Sequence, residues 1–149
     1  MEEGLQYADI VERLAPCGLD CDRCVMYVGG RVKNLAVGLA KALEGFELMA
    51  PRVADRFPVL GDYDHFLATL DFFSGPTCTG CRNGGSALPF CSARSCFREQ
   101  EVDFCAQCAE YPCKRNSYPE NLPERWRSCN DRIREVGVER FYRESLERP

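Results

Sequence analysis

Apolar positions recur at helical spacing over most of this chain. Tyr7, Ile10, Val11 and Leu14 predict a first helix over Leu5 to Leu14, broken by Ala15-Pro16. Val32, Leu35, Ala36, Leu39, Leu43, Phe46 and Ala50 form one face of a second, which Pro51 is expected to stop. Gly38 and Gly45 lie within it. Each weakens a helix by about 1 kcal/mol relative to alanine, and together they leave room for a close helix contact. Asp62 reads as the N-cap of a third helix with Tyr63, Phe66, Leu67, Leu70 and Phe73 on one side, ended by Ser74-Gly75-Pro76.

From Thr77 to about Arg115 the periodicity disappears and cysteines take over. Order returns at Asn121, an N-cap candidate with Pro123 in the first turn, followed by the stripe Leu122, Trp126, Cys129, Ile133 and Val136. Gly137 reads as a C-cap, and Val138, Phe141, Tyr142 and Leu146 mark a last short helix. Strand-like alternation is too brief to predict a sheet. The expected fold is therefore mainly α, a helical domain with an irregular cysteine-rich, zinc-binding insert. At 149 residues the chain suits one domain. Its segments are 1–76 (an N-terminal cysteine triplet and helices), 77–115 (the cysteine-rich region) and 116–149 (the C-terminal helices).

Hydrophobic residues at 45% and charged residues at 28% are ordinary for a globular protein, but eleven cysteines are not. The net charge of −4 divides into −5 over residues 1–76, −1 over 77–110 and +2 over 111–149. No strongly basic face is expected, so nucleic acid is not an expected partner. Arg125, Arg127, Arg132, Arg134, Arg140 and Arg143 are interleaved with Glu124, Asp131, Glu135, Glu139 and Glu144, as on a solvated, salt-bridged helix. Lys33, Lys41, Glu44 and Glu47 interrupt the most apolar stretch, which argues against a membrane span. The N-terminus is acidic and amphipathic, unlike a secretory signal, so a reducing cytoplasmic setting is expected. An odd number of thiols in that setting points to metal rather than disulfides.

The cysteines fall into groups: Cys17-x3-Cys21-x2-Cys24, Cys78-x2-Cys81, Cys91-x4-Cys96, and Cys105-x2-Cys108 followed by Cys113. Two intervening residues let paired sulfurs converge on one ion in a tight turn, and Gly80 would relieve the backbone of the first such turn. Cys78/Cys81 can pair with Cys105/Cys108 or with Cys91/Cys96, while the N-terminal triplet needs a distant fourth ligand. Two or more zinc ions are expected among these ten cysteines. Few large apolar side chains lie in 77–115 (Leu88, Phe90, Phe97, Val102, Phe104, Tyr111) to offset the ordering of its backbone. A structural zinc contributes roughly 10–16 kcal/mol to folding. Four thiolates around one such ion carry a formal charge of −2, so Arg23, Arg82, Arg94, Arg98, Lys114 and Arg115 are expected to surround the ligands, Arg94 above all.

Two alternatives compete. The C-x3-C-x2-C spacing of Cys17, Cys21 and Cys24 also matches a three-thiolate cradle for an iron–sulfur cluster, and C-x2-C pairs can cycle as redox thiols. Neither has its usual context, a long barrel for the first or a βαβ unit for the second. Cys129 stands alone on an apolar stripe and reads as a buried thiol. Trp126 reads as core, and His65, the only histidine, as a surface or packing residue. No hydrolase, metalloprotease or phosphate-loop motif is present, so no catalytic residue is assigned.

The strings CGLDCDRCVMY, CTGC, CSARSC and FCAQCAEYPC resemble the small bacterial and archaeal proteins of domain of unknown function 3795. The likeness covers roughly 16–115. It implies that Cys17, Cys21, Cys24, Cys78, Cys81, Cys91, Cys96, Cys105, Cys108 and Cys113 are family positions and that Cys129 is not. It implies no activity. The expected role is a zinc-stabilised module that binds a protein or small-molecule partner.

Overall fold

The computed structural model describes residues 5–85, 90–119 and 121–148. In chain order the α-helices are α1 (Tyr7–Arg13), α2 (Arg31–Ala42), α3 (Ala50–Val53), α4 (Tyr63–Ser74), α5 (Ala93–Glu99), α6 (Leu122–Val136) and α7 (Val138–Glu147). Short 3-10 turns lie between them, and β-pairing among the described residues is limited to isolated bridges such as Tyr27 with Cys78. The protein is mainly helical. The chain divides into two compact units, one of Met1–Cys21 with Thr79–Pro149 and one of Asp22–Cys78.

The discontinuous unit has two cores. In the first, Ile10 of α1 and its C-cap residue Leu14 meet Ile133 of α6, Val138, Phe141 and Tyr142 of α7, and Phe104 and Ala106 from the cysteine-rich stretch. Tyr7 donates to Asp103 Oδ2 at 2.8 Å and accepts from Gln107 Nε2 at 2.9 Å, fastening α1 to that stretch. The second core is built from Ala15, Cys17, Cys91, Ala93, Tyr111, Tyr118 and Trp126, with five more cysteines packed against it. Of the interleaved C-terminal arginines, Arg132 and Arg140 pair with acids as expected, whereas Arg134 binds backbone carbonyls. Arg132 binds Glu144 through Nε and Nη2 at 2.9 and 2.6 Å and reaches Glu135 at 2.6 Å, and Arg140 also meets Glu144.

In the 22–78 unit α2 packs against α4. Ala36, Ala50, Tyr63 and Leu70 are buried, and Phe46 meets the Tyr63 ring edge-on at 5.2 Å. Much apolar surface stays outside: Leu35 is 64%, Leu48 68% and Val59 79% exposed. Val28 N and Cys78 N donate to Cys78 O and Met26 O, both at 2.9 Å, closing the unit near its ends.

Several expectations are corrected. The second helix ends at Ala42, and Pro51 lies in the first turn of α3, where its missing N–H leaves no bond unmade. Gly38 serves no close contact, because a Cβ there would meet nothing within 4 Å. The 77–115 stretch is not irregular throughout, since it contains α5 and 3-10 turns at Cys81–Asn83 and Cys105–Gln107. Asp62 and Asn121 hold their cap positions without a side-chain cap bond. Leu88 lies outside the described residues.

Candidate functional site

None of the eleven cysteines forms a disulfide. Four of them, Cys96, Cys105, Cys108 and Cys113, line one cavity of about 20 Å³. Hydrogen bonds from near and far in the chain hold the segments that carry Cys96, Cys105 and Cys108. Asn116 Oδ1 accepts from the amides of Ser92 and Ala93 at 2.8 and 3.1 Å, and Ser92 Oγ donates to Arg115 O at 2.8 Å; these bonds pin the start of α5, which carries Cys96. Cys105 N donates to Pro16 O at 2.8 Å, and Cys108 N to Cys105 O at 3.1 Å, forming the C-x2-C turn. Gln107 Oε1 caps that turn by accepting from Asp103 N and Phe104 N, both at 3.0 Å.

Cationic groups stand around the cavity, while burial holds the Cys96 thiol above its ordinary range. Arg115 Nη1 lies 3.8 Å from Cys96 Sγ while the same guanidinium pairs with Glu110 and Glu99. Arg134 of α6 donates from Nε to Ala106 O at 2.7 Å and from Nη2 to Cys108 O at 2.9 Å, with its guanidinium over the Tyr111 ring. Burial pushes the Cys105 thiol up to about 11, and the Trp126 indole N–H beside it pulls the other way. That N–H is buried and makes no hydrogen bond of good geometry. Among the described residues no three Cys, His, Asp or Glu side chains stand in a ready ligand arrangement. The four sulfurs share a cavity without forming a finished coordination shell.

A second thiol group lies deeper in the same unit. Cys17 and Cys91 are 4% and 3% exposed. The Cys17 thiol donates to Cys91, and the amides of Ala93 and Arg94 also point at Cys91. The Tyr118 hydroxyl lies 3.2 Å from its sulfur. These bonds, the one from Cys17 first, lower Cys91 to about 6, so Cys91 is the member of the pair that ionises. Cys17 is raised well above the usual thiol range by the same contact. Cys21 and Cys81 pack against this group. The fully buried Asn130 side chain donates to Cys17 O and Trp126 O, both at 2.8 Å. Gly18 has φ +82°, and a Cβ there would meet Asn130 Nδ2 and Ile133 Cδ1 at 3.3 Å, so the glycine after Cys17 answers both backbone and space. Gly80, with φ +90°, opens the turn at Cys81 as expected.

Cys24 and Cys78 belong to the 22–78 unit. Cys24 O accepts from Tyr27 N at 3.2 Å, and the Tyr27–Cys78 bridge lies next to it. Cys129 is partly buried against the first core, and burial raises its thiol. His65 is exposed.

The cations do not all behave as expected. The Arg94 side chain is exposed, and its backbone amide is what bonds Cys91. Arg82 turns away to donate to Val11 O at 2.8 Å and Asp103 O at 2.6 Å, over the Phe97 and Phe104 rings. Arg98 donates to Arg82 O at 2.6 Å, and Lys114 is exposed. Sequence reasoning missed Arg134, Asn130 and Tyr118. Asn130 alone left a trace, as a polar residue four positions after Trp126 on the buried side of α6.

No curated protein and no solved structure matches the chain. Residues 13–118, well over half of its length, match the family described as Protein of unknown function (DUF3795), and the chain belongs to that family.

Proposed function

We propose that this protein is a zinc-stabilised interaction module, in which two or more thiolate-bound ions brace the cysteine-rich unit while an exposed surface engages a protein or small-molecule partner in a reducing compartment. The observation that carries the reading is the convergence of Cys96, Cys105, Cys108 and Cys113 on one small cavity. The composition of the second core supports it. Beside its thiols it holds two alanines and three aromatics, with aliphatic side chains confined to its margin. Ordering loops costs roughly 1–2 kcal/mol per residue, and thiolate-bound zinc is a source of stabilisation that such a core otherwise lacks. For the partner surface, Leu35, Leu48, Val59 and Phe72 of the 22–78 unit are each more than half exposed.

Elemental analysis of the purified full-length chain tests the reading. A colourless protein with two or more zinc ions per chain is expected. A brown, iron-containing protein would favour the iron–sulfur alternative at Cys17, Cys21 and Cys24, and a metal-free folded protein would overturn the proposal.

A further inference from the structure

We infer that Cys96, Cys105, Cys108 and Cys113 are the complete ligand set of a single zinc ion, and that the pairings suggested by sequence spacing, Cys105/Cys108 with Cys78/Cys81 or Cys91 with Cys96, are not used there. The inference rests on the zinc reading above and assigns its ligands.

Sequence spacing groups Cys91 with Cys96, but the fold parts them. Cys91 faces Cys17 and Tyr118, whereas Cys96, five residues later along α5, opens onto the cavity with the C-x2-C turn and Cys113. The cavity is about 20 Å³, the room of one water-sized occupant, which suits an ion and is too small for a four-iron cluster. Zinc–sulfur bonds of about 2.3 Å set tetrahedral sulfurs about 3.8 Å apart, so the thiols, which stand in no ready ligand arrangement, must draw together when the ion enters. Each thiol gives up its proton on ligation, leaving four thiolates around one divalent cation with a net charge of −2.

The neighbours fit that anionic product. Arg115 reaches the Cys96 sulfur at 3.8 Å. Arg134 is fixed on the carbonyls of Ala106 and Cys108. The buried Trp126 N–H, without a bond of its own, faces Cys105 and gains an acceptor once that sulfur is a thiolate. An orphaned donor aimed at a ligand sulfur is the independent observation that points to the occupied state. Gln100 Oε1, now accepting from the Cys108 thiol at 3.8 Å, must turn away when that proton leaves.

The full-length chain, stripped of metal and titrated with zinc chloride, decides the matter when the alkylation rate of every cysteine is mapped by mass spectrometry. Cys96, Cys105, Cys108 and Cys113 are expected to lose reactivity together at the same equivalent of zinc, each by about tenfold or more, because bound thiolates are withdrawn from the reagent. Zinc uptake that protects other cysteines and leaves Cys96 or Cys113 reactive would overturn this ligand set while leaving the broader reading standing. No uptake at all would sink both. In a second measurement, Cys113→Ser should bind one zinc ion fewer than the parent while Cys129→Ser binds the same number. Equal zinc content in Cys113→Ser and parent would refute the assignment.

Discussion

Arg134 holds Cys108 by its backbone: the Nη2 of one lies 2.9 Å from the carbonyl oxygen of the other, and Nε of the same guanidinium binds Ala106 O at 2.7 Å. Two bonds from one planar group fix the C-x2-C turn to α6. A lysine offers a point charge and cannot reproduce that fork. Arg134→Lys and Arg134→Gln should both weaken zinc binding by about 10–100-fold, the usual effect of losing a group that orients metal ligands. Competition with a chelator of known affinity measures it. Unchanged affinity in both variants would show that the turn needs no clamp.

Asn130 makes a similar link from a buried position, donating both amide hydrogens, one to Cys17 O and one to Trp126 O. Asn130→Ala removes both bonds and should destabilise the protein by about 1–3 kcal/mol, the cost of leaving buried partners unpaired. Asn130→Asp is expected to be worse, because it faces two carbonyls with an acceptor. Denaturant melts of the metal-loaded proteins give the order. An Asp variant as stable as the parent would contradict the donor assignment.

The thiols should differ sharply in their tolerance of serine. Cys108→Ser is expected to leave the 79–119 stretch partly unfolded or the protein insoluble. Cys129→Ser, at a partly buried site against the first core, should cost about 1 kcal/mol, as ordinary substitutions do. Thermal melts that coincide for the two variants would refute this ranking.

Glu144 supplies a pH test away from the thiols. Its hydrogen bonds with Arg132 hold its carboxyl down to about 2, against an ordinary value of 4.5. A value depressed by folding means that the pairing stabilises the protein above about pH 4.5. That contribution fades as pH falls and is gone below about 2. An NMR titration of the Glu144 side chain should give a midpoint near 2, returning toward 4.5 in Arg132→Gln. A parent midpoint at 4.5 would mean that the ion pair is not held in solution.

Much of the helical skeleton is legible in the sequence because apolar spacing over two or more turns has few other solutions. Tyr63, Leu70, Trp126, Ile133 and Phe141 are all buried where periodicity expects core. Pro51 misleads, since proline ends one helix and begins another equally well, and pattern alone does not say which. The seven residues of α5 are too few to show a period. Asn116 and the pinned Arg115 carbonyl fix their start from more than twenty positions away. The cysteines are visible one by one, but their grouping depends on which way each sulfur faces. Cys91 and Cys96 stand five apart and face different neighbours. Arg134 and Asn130 act by bonding backbone carbonyls, a role that leaves no motif.

Limited proteolysis of the full-length chain before and after exhaustive zinc chelation tests most directly whether bound metal maintains the cysteine-rich fold. The account predicts that chelation exposes cleavage sites between residues 79 and 119 and that restored zinc protects them again. If the stripped protein resists the protease there as well as the zinc-loaded one, the hydrocarbon and hydrogen bonds of this unit suffice, and the central claim fails.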